Sequence, residues 1–178
     1  MLDPGRGRTK TGRLWVYVRD DRPWVGPDPP AAVYFYSPDR KAERPAAHLE
    51  DFQGVLQVDG YAGFETLAAK GDIVLAACWA HARRKFYEFH QATGSPIAAE
   101  ALRRIAEFYA VEKRIRGQSA NARQWAREAV SRPLIEAMKP WLEDQLRRVP
   151  PRGGLAGAIR YVLARWPALS RFLGDGRI

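Results

Sequence analysis

Every strand-like run of this chain lies before Cys78, and none follows it. That asymmetry constrains the fold more than any other feature. Leu14-Trp15-Val16-Tyr17-Val18 and Ala32-Val33-Tyr34-Phe35-Tyr36 are rich in β-branched and aromatic residues, the composition of strands. Pro23, Pro27, Pro29 and Pro30 punctuate the segment between them, so the two runs read as an antiparallel pair joined by a loop. Arg44 to Leu49 reads as a short helix. Gly54-Val55-Leu56-Gln57-Val58 is a third strand that ends on Asp59-Gly60, and its near-continuous apolar run predicts burial on both faces. A helix over Tyr61 to Ala69, a turn at Lys70-Gly71 and a fourth strand over Ile73 to Ala77 follow. Strand, helix, strand in succession favours a parallel pairing.

After Cys78 the pattern is helical. Trp79 to Gln91 forms one helix, ended at Gly94. Ser95-Pro96 opens the next with an N-cap and a first-turn proline. Its buried stripe is Ala98, Leu102, Ile105 and Tyr109, and Gly117 closes it. Asn121 to Val149 is helical again, with breaks or kinks expected at Pro133 and Pro140. Leu134, Met138, Trp141 and Leu142 form its apolar side. Pro150 to Gly154 is a turn, and Leu155–Trp166 and Pro167–Leu173 are the last helices. Trp15, Tyr17, Tyr34 and Tyr36 stand at strand spacing and are expected in the core.

Composition limits the function classes. Lys and Arg number 29 against 20 Asp and Glu, a formal charge of +9, which points to a polyanionic partner. The plainer alternative is scattered charge serving solubility. The single cysteine excludes an internal disulfide framework and a cysteine-rich zinc module, and it fits a reducing cytoplasm. No window approaches the ~20 apolar residues of a membrane span, and the N-terminus has no signal-peptide core. P-loop, nucleophile-elbow and dinucleotide fingerprints are missing.

Asp59 is the sharpest candidate site. A carboxylate at the C-terminal end of a buried strand stands where α/β sheets present ligands, and its hard oxygens suit magnesium. It equally suits a turn-initiating or helix-capping role, which spacing alone favours. Cys78-Trp79-Ala80-His81 has C-x-x-H spacing, but two ligands do not make a zinc site. Arg83-Arg84-Lys85 fans around its helix, as phosphate contacts or as a solvated face. The glycine-rich N-terminal segment adds Arg6, Arg8, Lys10 and Arg13.

Four motifs carry a family resemblance: GRLWVYVRDDRP (Gly12–Pro23), LQVDGYAGF (Leu56–Phe64), CWAHARRKF (Cys78–Phe86) and TGSPIAAEALRRI (Thr93–Ile105). With AIRYVLARWPALSRFLGDGRI (Ala158–Ile178), they resemble the central domain of the insertion-sequence-66 family of bacterial transposases, in order along the whole chain. The resemblance implies an α/β fold: a partial RNase H-like mixed sheet over residues 1–93, with its first strand missing, followed by an all-helical region over residues 94–178. It implies DDE-type chemistry, in which three carboxylates hold two Mg²⁺ ions that promote attack on a DNA phosphodiester. Asp59 then becomes the second catalytic, metal-binding carboxylate. Cys78 and His81 shape the site, and Arg83, Arg84, Lys85, Arg6, Arg8, Lys10 and Arg13 contact DNA. The first Asp of the family lies upstream of the basic loop, and its Glu lies beyond Ile178. The expectation is therefore a transposase fragment, inactive alone, in a bacterial cytoplasm, with DNA, a full-length transposase or itself as partner. The alternative is a DNA-binding or transposase-associated module without chemistry.

Overall fold

The structure, a computed structural model, describes residues 7, 9, 11–69 and 71–178. Arg6, Arg8 and Lys10 lie outside the described residues. The class is mixed α/β with helix dominant. The strands form two separate two-stranded sheets rather than one. Strand β1 (Arg13–Arg19) pairs antiparallel with β2 (Ala31–Ser37), in a register running from Arg13 opposite Ser37 to Arg19 opposite Ala31. Strand β3 (Gly54–Val58) pairs parallel with β4 (Ile73–Ala77), Gly54 opposite Ile73 and Val58 opposite Ala77. Between β3 and β4 the chain makes a 3₁₀ turn at Ala62–Phe64 and one turn of helix, α2 (Glu65–Ala68).

The hairpin departs from the expected core role of its aromatics. On one face the cross-strand pairs are Leu14–Tyr36, Val16–Tyr34 and Val18–Ala32. All six residues are exposed, Val18 by 68% and Tyr34 by 62%. Nothing described packs on that face, so strand spacing placed Tyr34 and Tyr36 correctly in the pleat but not in the interior. The opposite face is half covered. Trp15 and Tyr17 lie there against His48, the last residue of helix α1 (Glu43–His48). His48 stacks on Phe35, with ring centroids 4.1 Å apart, and its Nδ1 is 3.0 Å from the Tyr17 hydroxyl. Trp15 Nε1 donates to the buried Ser37 hydroxyl at 2.8 Å. Burial raises the Tyr17 pKa to about 12 and lowers that of His48, the latter helped by the nearby Arg44 charge.

Strand β3 also departs from expectation. Only Val58 is buried, and Val55 is 37% exposed. Its partner β4 is better covered, with Ile73, Ala76 and Ala77 buried.

The interior lies in the helices. Helix α3 (Trp79–Thr93) ends on Gly94, whose φ of +67° makes the left-handed cap that favours glycine. Helix α4 (Pro96–Ile115) starts as the sequence predicts, with Ser95 Oγ accepting the Ala98 N–H at 3.3 Å. Helix α5 (Ala120–Ala126) passes through a π-turn at Arg127–Ser131 into α6 (Arg132–Arg148). Pro133 stands in the first turn of α6, where a proline is accommodated. Pro140 sits inside α6 without ending it. Pro140 and Glu136, whose carbonyl loses its helical partner, are both exposed residues, a position in which the loss is tolerated. Helices α7 (Gly154–Ala164) and α8 (Trp166–Ser170) close the chain's helical half. Phe86, Ile105, Phe108, Met138, Leu142 and Ile159 are at most 1% exposed and belong to one apolar cluster, which also takes in Ala77 of β4 and Trp79. Each such side chain contributes about 1.5–3 kcal/mol by leaving water.

One buried cation ties this core together. Arg127, 1% exposed, donates from Nε and Nη2 to the two Glu112 carboxylate oxygens, both at 2.7 Å. Its Nη1 donates to the carbonyls of Phe172 at 2.9 Å and Asp175 at 2.8 Å. Paired and fully hydrogen-bonded, the guanidinium meets the conditions under which a buried charge is tolerated.

Candidate functional site

The site is built where β3 and β4 end together. Cys78 N–H continues the parallel ladder by donating to the Val58 carbonyl at 3.0 Å, which sets Cys78 beside Asp59. Asp59 forms the turn that its spacing suggested. Its Oδ1 accepts the Tyr61 N–H at 3.0 Å, and the following Gly60 has a φ of +87°. The turn role leaves the other oxygen open. Asp59 Oδ2 stands 3.8 Å from an Arg40 Nη2, and the carboxylate is 41% exposed.

Helix α7 holds this turn from the far side of the sequence. The Tyr161 hydroxyl donates to the Asp59 carbonyl at 2.7 Å, and Arg165 Nη2 donates to the Gly60 carbonyl at 3.2 Å. A Cβ at residue 60 would meet Arg165 Nε at 2.6 Å and the Tyr161 oxygen at 2.8 Å, so a side chain there would displace the two groups that hold the turn, and the positive φ itself favours glycine. Burial raises the Tyr161 pKa. Arg40 lies over the Tyr61 ring at 4.2 Å, and the Tyr61 hydroxyl donates to the Arg40 carbonyl. Tyr61 lies in the LQVDGYAGF motif and Tyr161 and Arg165 in the Ala158–Ile178 motif, but the sequence assigns neither these three nor Arg40 to Asp59, because nothing in local spacing announces their meeting.

The expected site residues divide. Arg13, at the start of β1, lines a groove of about 310 Å³ together with Trp15, Arg40, Asp59 and Tyr61. Cys78 faces a different hollow of about 280 Å³, beside Trp79, Tyr109, Glu112 and Arg127. His81 lies in the first turn of α3, its N–H bonded to the Cys78 carbonyl at 3.2 Å. Of the three consecutive cations, Arg83 lies over Tyr87 at 5.6 Å, and Arg84 faces Glu88 at 3.7 Å. Lys85 turns toward α7, its Nζ lying 4.5 Å above the ring of Tyr161, whose hydroxyl bonds the Asp59 carbonyl.

No three His, Cys, Asp or Glu side chains converge as a cation cage among the described residues. Asp59 stands as a single carboxylate, with one oxygen given to a backbone N–H and the other facing an arginine. That donor set does not fit a two-metal centre by itself, because hard divalent cations need several oxygen ligands held together.

The model of the family described as "Transposase IS66 family" matches residues 1–178. The chain belongs to that family. An uncharacterized protein of Sinorhizobium fredii, y4jD, is 47% identical over 183 residues, covering 99% of this chain and 36% of the relative. A second from the same organism, y4qI, is 40% identical over 184 residues, covering 99% of this chain and 34% of its own length. The chain thus spans about a third of the length of the curated relatives it matches. No solved structure matches. Among the described residues, no helix is long and apolar enough to cross a membrane.

Proposed function

We propose that this IS66-family chain is the part of a DNA transposase that presents Asp59 to the scissile phosphodiester and holds the DNA beside it. The carrying observation is the position of Asp59. It closes a parallel strand pair, sits on a turn fixed by α7, and is flanked by Arg13, Arg40, Lys85 and Arg165. Such a turn carries one carboxylate on rigid backbone, as an RNase H-like core with DDE chemistry requires. The cations supply electrostatic attraction for the phosphates that the carboxylate would otherwise repel. Divalent-metal chemistry would need further carboxylates held beside Asp59. Cys78 and His81, at the same end of the sheet, act on the local shape of the site. Residues 1–93 then form the catalytic side and residues 94–178 its helical support.

Grafting tests this reading. Residues 1–178 replace the matching segment of y4jD, and transposition is scored in cells with and without Asp59→Asn. Loss of transposition by two orders of magnitude or more in the Asn variant supports the role. An equally active Asn variant overturns it, and a graft that never transposes overturns the equivalence of the two chains. A second reading, a DNA-binding or transposase-associated module without chemistry, draws on the solitary state of Asp59. In that case Asp59→Asn leaves the active graft unchanged.

A further inference from the structure

The cations of the helical half are not equivalent. On α4, Arg103 is paired with Glu100 and Glu107, and Arg104 with Glu100. On α6, Arg132 is paired with Glu128 and Glu136, while Arg147 and Arg148 share Asp144. These five cations meet five carboxylates, so the two helices carry little net field from them. The groove between α3 and α7, about 630 Å³, is different. Lys85, Arg160 and Arg165 line it, and none has a carboxylate within salt-bridge reach among the described residues. Glu88 also lines it but faces Arg84 at 3.7 Å. Gly154 and Gly157 keep the wall low. Lys85 and Arg165 both lie against the Tyr161 ring, at 4.5 and 4.2 Å, so the aromatic ring sets two cations in place at low entropic cost. The groove ends at the Asp59–Gly60 turn, through the Tyr161 and Arg165 hydrogen bonds.

We infer that the α3–α7 groove is the track for the DNA backbone, with Lys85, Arg160 and Arg165 as its phosphate contacts, and that the α4–α6 surface takes no part. The proposal rests on the transposase reading for its choice of DNA, but not on Asp59 chemistry. Lys113 and Arg114 form the competing cluster. They too have no carboxylate within salt-bridge reach among the described residues, but they stand in the last turn of α4, where they complement the helix dipole.

The test is fluorescence anisotropy with a labelled random-sequence DNA duplex, in chelator, over a range of salt. Removing divalent metal keeps the result independent of any catalytic role. Each phosphate contact contributes about −0.9 to the slope of log K against log salt. Lys85→Gln/Arg160→Gln/Arg165→Gln is expected to flatten the slope by about 2 to 3 and weaken binding at least tenfold. Lys85→Gln/Arg160→Gln, which leaves the hydrogen bond to Gly60 in place, is expected to flatten it by nearly 2. Lys113→Gln/Arg114→Gln and Arg103→Gln/Arg147→Gln serve as controls and should retain the slope within 0.5 or so. Unchanged binding in the double groove variant, or an equal loss in either control, overturns the proposal. Circular dichroism melting of each variant separates lost contacts from lost folding.

Discussion

The strand-bearing and helical regions use similar residue types to opposite ends. The β1–β2 hairpin places Leu14, Val16, Val18, Tyr34 and Tyr36 in water. The helices place Phe86, Ile105, Phe108 and Leu142 out of it. The difference is not hydrophobicity but the number of layers. A helix buries its stripe against neighbours contributed by the same stretch of chain, whereas a two-stranded sheet has two faces and here only one is met, by α1 and the Tyr61–Phe64 turn. Stability is therefore concentrated in the helical region, while the site lies at the seam between the two.

Substitutions should divide along that seam. The largest expected effect is at Arg127: Arg127→Ala leaves Glu112 only the longer contact with Arg123 at 3.5 Å and frees the Phe172, Asp175 and Ile178 carbonyls, at a cost of about 3–5 kcal/mol in urea unfolding. A cost below about 1 kcal/mol would mean that the helical region does not depend on this clamp. Next comes the seam itself. Tyr161→Phe removes one hydrogen bond to the Asp59 carbonyl and should cost about 0.5–1.5 kcal/mol, with amide shifts in nuclear magnetic resonance confined to Asp59, Gly60 and their neighbours. Shifts spread through the helices instead would erase the distinction between seam and core. Val16→Thr, on the uncovered hairpin face, should change stability by no more than about 0.5 kcal/mol. A larger loss would show that the face is covered in solution.

The smallest effect is one of pH. Burial lowers the folded-state pKa of His48 from 6.5, so the folded state binds its proton less readily than the unfolded chain. The contribution of His48 is present above pH 6.5 and is lost as pH falls through the folded value. Acidification should loosen the packing of the hairpin on α1, read as a change in Trp15 fluorescence, before the helical circular dichroism changes. The reverse order would place the weak point elsewhere.

Much of this was legible in the sequence. All four strands announced themselves by composition, and Ser95 with Gly94 marked the junction of α3 and α4 because capping is a local matter. Pro140 does not end α6, because an exposed proline can leave a carbonyl to solvent without ending a helix. Tyr34 and Tyr36 misled because strand spacing gives the side a residue faces but not whether anything covers that side. Asp59 was visible from its own motif. Its partners were not, since the contact of Tyr161 with Asp59 spans 102 positions and no periodicity reaches that far.

That separation has a kinetic meaning. Tyr161 to Asp59, Arg165 to Gly60 and Trp79 to Leu169 close loops of 102, 105 and 90 residues. Contacts between neighbouring helices form early, and long closures follow only once enough of the chain is ordered to repay their entropy. The final shape of the Asp59 turn therefore depends on contacts that close loops of 102 and 105 residues. A chain lacking α7 would carry the aspartate without the two hydrogen bonds that fix its turn.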